Sequence, residues 1–322
     1  MRAASGHAGL LWRRRSIEQT IADSRTPSEL KRKLELVVAV RRFAFDSLAL
    51  KRSHDYEAWT PVKGPALTWL VSASARARLE PYLFRFPIVG SFPYKGHFRR
   101  DLADREAAAL EKKGYDATVS GAAAYKTPLP IADPLPSTVL DDSDGGVAET
   151  LIHELTHGTV YFRNQTEFDE ALAVWLGERG ATEFLIARDG PGSSALKEWR
   201  TDAAEVEKRE ALYRDLRSKL AELYGGQGSD AEKLEKRKAV FDWARAEASS
   251  RGLKPLREPL NNAVVLAHEL YAPDFAPFDA LFDKCGRDWP RTIAALKGLD
   301  RRAPLADLRR APCAADAPPV QK

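Results

Sequence analysis

The sequence predicts an α+β fold: a small, mainly antiparallel sheet with helices, followed by a largely helical second half. Three observations predict it. Apolar residues that alternate with the period of a strand are confined to the first 145 residues, and later apolar positions recur at helical spacing. At the junction stands Val147 to Glu183, whose His153-Glu154-Leu155-Thr156-His157 is an H-E-x-x-H. Residues 1–145 read as an N-terminal α+β lobe and 146–300 as a helical lobe with the metal helices and a helical hairpin. Residues 301–322 read as a disordered tail.

The 322 residues can bury a core, and 44% hydrophobic with 30% charged residues is ordinary globular composition. The net charge of +4 forms no basic stripe interleaved with aromatics, so no nucleic-acid partner is expected. No apolar run reaches the ~18 residues of a transmembrane helix. The opening MRAASGHAGLLWRRRS lacks the apolar core of a secretory signal, so the chain as written reads as cytoplasmic. Cys285 and Cys313 are too few for a disulfide framework or a thiolate zinc site, and Cys313 falls in the Pro/Ala-rich tail. Oligomeric state has no signal.

Taken in order, Thr26-Pro27-Ser28-Glu29 reads as a capping box. It opens a long helix with Leu30, Leu34, Val37, Val38, Phe45 and Leu48 on its apolar stripe. Leu67 to Ala73 and Phe84, Phe86 and Ile88 alternate as two strands, and FPIVGSFPYKGHF reads as an irregular turn. Arg99 to Lys113 is a charged, alanine-rich helix stopped by Gly114, and Tyr115 to Ala123 is another strand. The prolines between Pro128 and Pro136 exclude a central strand, leaving an edge strand that could pair with a peptide, or a surface loop. Ser194 to Tyr224 and Asp230 to Ser249 form the helical hairpin, split by Gly225-Gly226-Gln227-Gly228. Further helices run from Leu260 to Tyr271 and through Phe275, Phe278, Leu281 and Phe282.

On a helix, residues four apart share a face, so His153 and His157 can reach one metal ion with Glu154 beside it. A catalytic zinc takes three protein ligands, and Glu167, Asp169, Glu170, Glu178 and Glu183 are the downstream candidates. If the first helix runs to about Phe162 and Thr166 caps the second, His157 and Glu170 each lie roughly 6 to 8 Å from the turn and sit level. Glu178 lies roughly 18 Å along, past the level of His153. Glu170 is therefore the expected third ligand, and Ala171 and Ala173 let its helix come close. Asp169 is expected either to orient a histidine or to cap with Thr166. With zinc at that site, Glu154 is the general base of peptide hydrolysis, and Tyr271, Tyr125 or Tyr94 could donate to the oxyanion.

FPIVGSFPYKGHF, GAAAYKTPLPIADPLPST, AETLIHELTHGTVYF, TEFDEALAVWLGERGA and NNAVVLAHELY resemble, in that order and spacing, the bacterial putative aminopeptidase family of zinc-dependent peptidases. The likeness runs from about Ala8 to Leu299. It implies a gluzincin-like site with His153, His157 and Glu170 as ligands of Zn2+, Glu154 as base and a peptide as substrate. Phe168-Asp169-Glu170-Ala171-Leu172-Ala173 matches a family segment that has asparagine where this chain has Asp169. The match of Asn261, Asn262, Ala263 and Tyr271 raises Tyr271 above the other tyrosines. Family members usually carry a secretion or lipoprotein signal. H-E-L-T-H also fits a thermolysin-like endopeptidase, and a non-catalytic metal-containing scaffold is the reading from another class, although a structural site has no use for Glu154.

Overall fold

A computed structural model describes residues 12–86, 90–123, 132–269 and 274–313. The architecture is α+β, with the small sheets in the first half and mostly helices in the second. Among the described residues no helix is long and apolar enough to cross a membrane. The chain divides into two compact units, each assembled from separate stretches, so the division does not follow a single boundary near residue 145.

The first unit draws on Met1–Pro65, Ala123–Trp199 and Asp274–Lys322. Its long N-terminal helix, Ser28–Asp46, buries Leu34, Val37, Val40 and Ala44, whereas Val38 faces out. Pro27 precedes this helix and no side chain caps it. The expected capping box does not form because Glu29 turns to Arg32, at 2.9 Å. A three-stranded sheet places Ala58–Thr60 between antiparallel Arg15–Ser16 and parallel Leu135–Pro136. The proline-rich stretch thus supplies a two-residue edge strand; residues 124–131 lie outside the described residues.

Two helices form the centre of this unit. The motif helix, Asp144–His157, starts at Ser143, whose Oγ accepts the Gly146 N–H at 3.2 Å, and it buries Val147, Ala148, Leu151, Ile152 and Leu155. It ends at His157 with Gly158 as its cap, five residues earlier than Phe162. Val160 and Phe162, which extend the apolar pattern, are buried residues of a loop rather than of the helix. That loop turns back through Asn164 at φ 63°, a left-handed conformation asparagine tolerates. The second helix, Thr166–Asp189, is buried without interruption from Phe168 to Gly177, as an apolar helix enclosed on all sides must be.

The chain after Asp274 adds the helix Ala276–Lys284, which buries Phe278, Leu281 and Phe282, and Trp289–Lys297, capped by Asp288. Residues 301–313, expected as tail, instead hold the helix Pro304–Leu308, with Leu308 and Ala311 buried. A disulfide joins Cys313 to Cys285 across a Cα separation of 5.1 Å. Lys284 Nζ donates to the Ala311 carbonyl at 2.7 Å, and Gln165 Nε2 donates to the Arg302 carbonyl at 3.1 Å. Charge and Pro/Ala content conceal these anchors, because two apolar residues and one covalent bond suffice to hold the strap.

The second unit comprises Ala66–Ala122 and Arg200–Pro273. Its sheet has Thr68–Ala75 at the centre, antiparallel to Tyr94–His97 and to Tyr115–Ala122. Phe84–Phe86 pairs with Gly90–Phe92 in a hairpin, so the stretch expected as an irregular turn contains two short strands. Ile88 lies outside the described residues. The helix Arg100–Lys112 packs Ala103, Ala107 and Leu110 on Val71, Ala73 and Ala117 of that sheet. The hairpin helices are Ser194–Gly225, whose first residues belong to the first unit, and Asp230–Ser250, opened by a Ser229/Glu232 capping box. Leu212, Leu216 and Leu220 pack on Phe241, Ala244 and Ala248. Asn261 and Asn262, at the start of the helix Asn262–Glu269, serve structure: Asn261 Nδ2 donates to the Ala117 carbonyl at 2.9 Å. Asn262 Nδ2 donates to the carbonyls of Ala75, Arg76 and Arg78 at 3.0, 3.0 and 3.2 Å.

Candidate metal centre

The first unit brings together three side chains that were separated by up to seventeen positions in sequence. His153 and His157 stand one turn apart on the motif helix, and the loop returns Glu170, in the second turn of the next helix, to the same place. His153 Nε2 lies 3.2 Å from His157 Nε2 and 3.4 Å from Glu170 Oε2, and His157 Nε2 lies 3.8 Å from that oxygen. The three potential ligand atoms all fall within 4.8 Å of one another, and they form a group that could hold a metal ion. Among the described residues it is the single such group. Two imidazoles and one carboxylate match the donor set zinc takes at open sites.

Close helix packing makes the convergence possible. A Cβ on Gly180 would lie 2.7 Å from Leu48 Cδ1 and 3.0 Å from Ile152 Cδ1, so glycine lets the second helix seat closely against Leu48 and the motif helix without displacing those side chains. Gly177, one turn earlier, sits in a looser fit, where a Cβ would lie 3.1 Å from the Glu149 carbonyl and 3.4 Å from His153 Cβ. Of the other acidic candidates, Glu167 is exposed and Glu183 accepts from Trp289 Nε1 at 2.8 Å. Neither they nor Glu178 join the cluster.

The electrostatics follow from burial. At both histidines burial disfavours a charged ring; at His153 the Glu170 carboxylate, helped by Glu154 and Glu149, prevails and pushes the ring up to about 9. At His157 burial prevails and pushes the ring down to about 4. One ring donates and the other accepts across the 3.2 Å contact. Glu154 is 8% exposed, and burial pushes its carboxyl up to about 7, where a carboxylate can exchange a proton at neutral pH. Its Oε2 is buried with no hydrogen-bond partner, a costly arrangement for a residue without work to do.

Asp169 neither orients a histidine nor caps its helix. Its Oδ1 accepts the backbone N–H of Phe162 at 2.9 Å, pinning the loop between the two helices, and burial pushes its carboxyl up to about 7. Tyr94 lies in the second unit, its ring 5.9 Å from Phe92. Tyr125 and Tyr271 lie outside the described residues. One neighbour of the cluster escaped the sequence reading. Glu149 sits one turn before His153, its Oε1 3.9 Å from His153 Nδ1. The four-residue spacing Glu149, His153, His157 was the available signal.

A family model described as a putative aminopeptidase matches residues 1–310. No curated protein and no solved structure matches the chain. With all but the last residues covered by that match, the chain belongs to the putative aminopeptidase family.

Proposed function

We propose that the protein is a zinc-dependent peptidase acting as an aminopeptidase. The observation that carries the reading is the convergence of His153, His157 and Glu170 within 4.8 Å, beside a buried Glu154 whose second oxygen has no partner. His153, His157 and Glu170 would hold the ion. When bound, zinc supplies Lewis acidity to a water and to the scissile carbonyl.

The chain's own residues provide the rest. Glu154 takes the proton of the attacking water and returns it to the leaving amine, a role suited to a carboxyl raised to about 7. The apolar burial of the motif helix restricts water around Glu154 and strengthens its interactions. Asp169 holds the loop that brings Glu170 back to the histidines. Tyr271 is the proposed second donor to the oxyanion, on the family resemblance, and Tyr271→Phe tests it by a fall in kcat.

The test is metal content together with hydrolysis of one peptide with a free amino terminus and its acetylated twin, for wild type and Glu154→Gln. The expected result is one zinc per chain in both proteins and cleavage of the free-terminus peptide by the wild type alone. Cleavage of both peptides would identify an endopeptidase. A folded protein that binds no metal would overturn the reading.

A further inference from the structure

The cluster has an unassigned partner on the far side of one histidine. His153 directs Nε2 toward His157 and Glu170, at 3.2 and 3.4 Å, so Nε2 is the nitrogen facing the candidate metal position. Its other nitrogen, Nδ1, faces Glu149, whose Oε1 is 3.9 Å away. A neutral ring that gives Nε2 to a metal carries its proton on Nδ1, and that N–H needs an acceptor. Among the described residues, Glu149 is the carboxylate within ion-pair reach of it.

The surroundings are built to admit that side chain. A Cβ on Gly177 would lie 3.1 Å from both the Glu149 carbonyl and Glu149 Oε1, and 3.4 Å from His153 Cβ. Glycine there leaves the carboxylate room to swing between the helices. Glu149 Oε2 is already taken by Thr150 Oγ1 at 3.4 Å, which leaves Oε1 for the ring. His153 and Glu149 side chains are 13% and 24% accessible, so water competes weakly for the contact. The remaining gap is about 1 Å beyond a charge-assisted hydrogen bond, within the reach of a rotation about the glutamate's own torsions.

We propose that Glu149 is a positioning residue: its carboxylate accepts the His153 Nδ1–H and so holds the tautomer and ring orientation that present Nε2 to a divalent cation. The inference rests on the metal-centre reading above. Outer partners of metal-bound histidines typically contribute about 10- to 100-fold in metal affinity.

The experiment measures zinc affinity by competition with a chromogenic chelator for the full chain as wild type, Glu149→Gln, Glu149→Ala and His153→Ala. The metal-stripped form of each is also melted. Expected are about tenfold weaker zinc binding for Glu149→Gln and up to about 100-fold for Glu149→Ala, with unchanged melts of the stripped proteins. Zinc affinity equal to wild type in both Glu149 variants, with binding lost in His153→Ala, overturns the role of Glu149 and leaves the metal centre standing. A lower melt of the stripped Glu149→Gln protein without weaker zinc binding assigns the residue to structure alone and also overturns it. A wild type that binds no zinc removes the metal-centre reading and this inference together.

Discussion

At the residue scale, two buried carboxylates beside the cluster do different work. Both carry one buried oxygen with no partner and a carboxyl raised to about 7, but Asp169 gives its other oxygen, Oδ1, to the Phe162 N–H, whereas Glu154 stands next to His153 in the motif helix. Glu154→Gln is nearly isosteric, so it is expected to fold and bind zinc as the wild type does while peptide hydrolysis falls by about 100-fold or more. Asp169→Ala strands a buried backbone N–H and is expected to cost about 1 to 3 kcal/mol in urea unfolding. Asp169→Asn keeps an oxygen at the same place and is expected to stay within about 0.5 kcal/mol of wild type. If the alanine variant proves as stable as the wild type, the loop is held by something else.

At the scale of elements, three helices of the first unit meet at Asp144, the first residue of the motif helix. Its oxygens accept from Arg32 Nη1 at 2.9 Å and from Arg188 Nη2 at 3.0 Å, and Lys33 Nζ lies 3.4 Å away. Burial works to raise the Asp144 carboxyl, and the two guanidiniums outweigh it, so the carboxyl sits below its ordinary value of 3.8. A carboxylate depressed on folding stabilises above its unfolded value, and that stability is lost as pH falls through the folded one. Asp144→Asn should therefore be less stable than wild type by about 1 to 3 kcal/mol at pH 7, and the two urea midpoints should converge in acid well below pH 3.8. A difference that persists unchanged in acid would show that packing, not charge, is lost. The neighbouring seam makes a steric prediction. Gly180→Val forces branched carbon against Leu48 and Ile152 and is expected to lower stability by about 1 to 3 kcal/mol in thermal or urea unfolding.

At the scale of the whole molecule, the last stretch of the first unit is closed on itself by a covalent bond. Cys285 and Cys313 are 28 positions apart, and closing a loop of that length stabilises by about 3.6 kcal/mol in the chain-entropy account. Reduction, or a Cys285→Ser/Cys313→Ser pair, is expected to lower the urea midpoint correspondingly, with the double variant indifferent to reductant. A wild type equally stable with and without reductant would deny the strap any part in stability.

The sequence by itself determined the elements whose signal is local. Period-two alternation marked Thr68–Ala75, helical spacing marked the long helices, and H-E-x-x-H set His153 and His157 on one face of a helix with Glu154 beside them. The place of Glu170 beside the histidines was legible because the rise along two helices from a shared turn can be counted in ångströms, even though the motif helix stops at His157 rather than near Phe162. Only the tertiary structure decided what depends on a distant partner. Tyr94–His97 becomes a strand because Thr68–Ala75 offers it a free edge, and residues 301–313 are ordered because Cys285, Lys284 and Gln165 lie within their reach. Asp169 turned to a backbone amide that no spacing rule indicated, and Glu149 came to face His153 where Gly177 leaves room. Local propensity needs only neighbours in the chain, whereas strand pairing, docking of a charged segment and the choice of a buried carboxylate's partner are settled by which surfaces meet on folding.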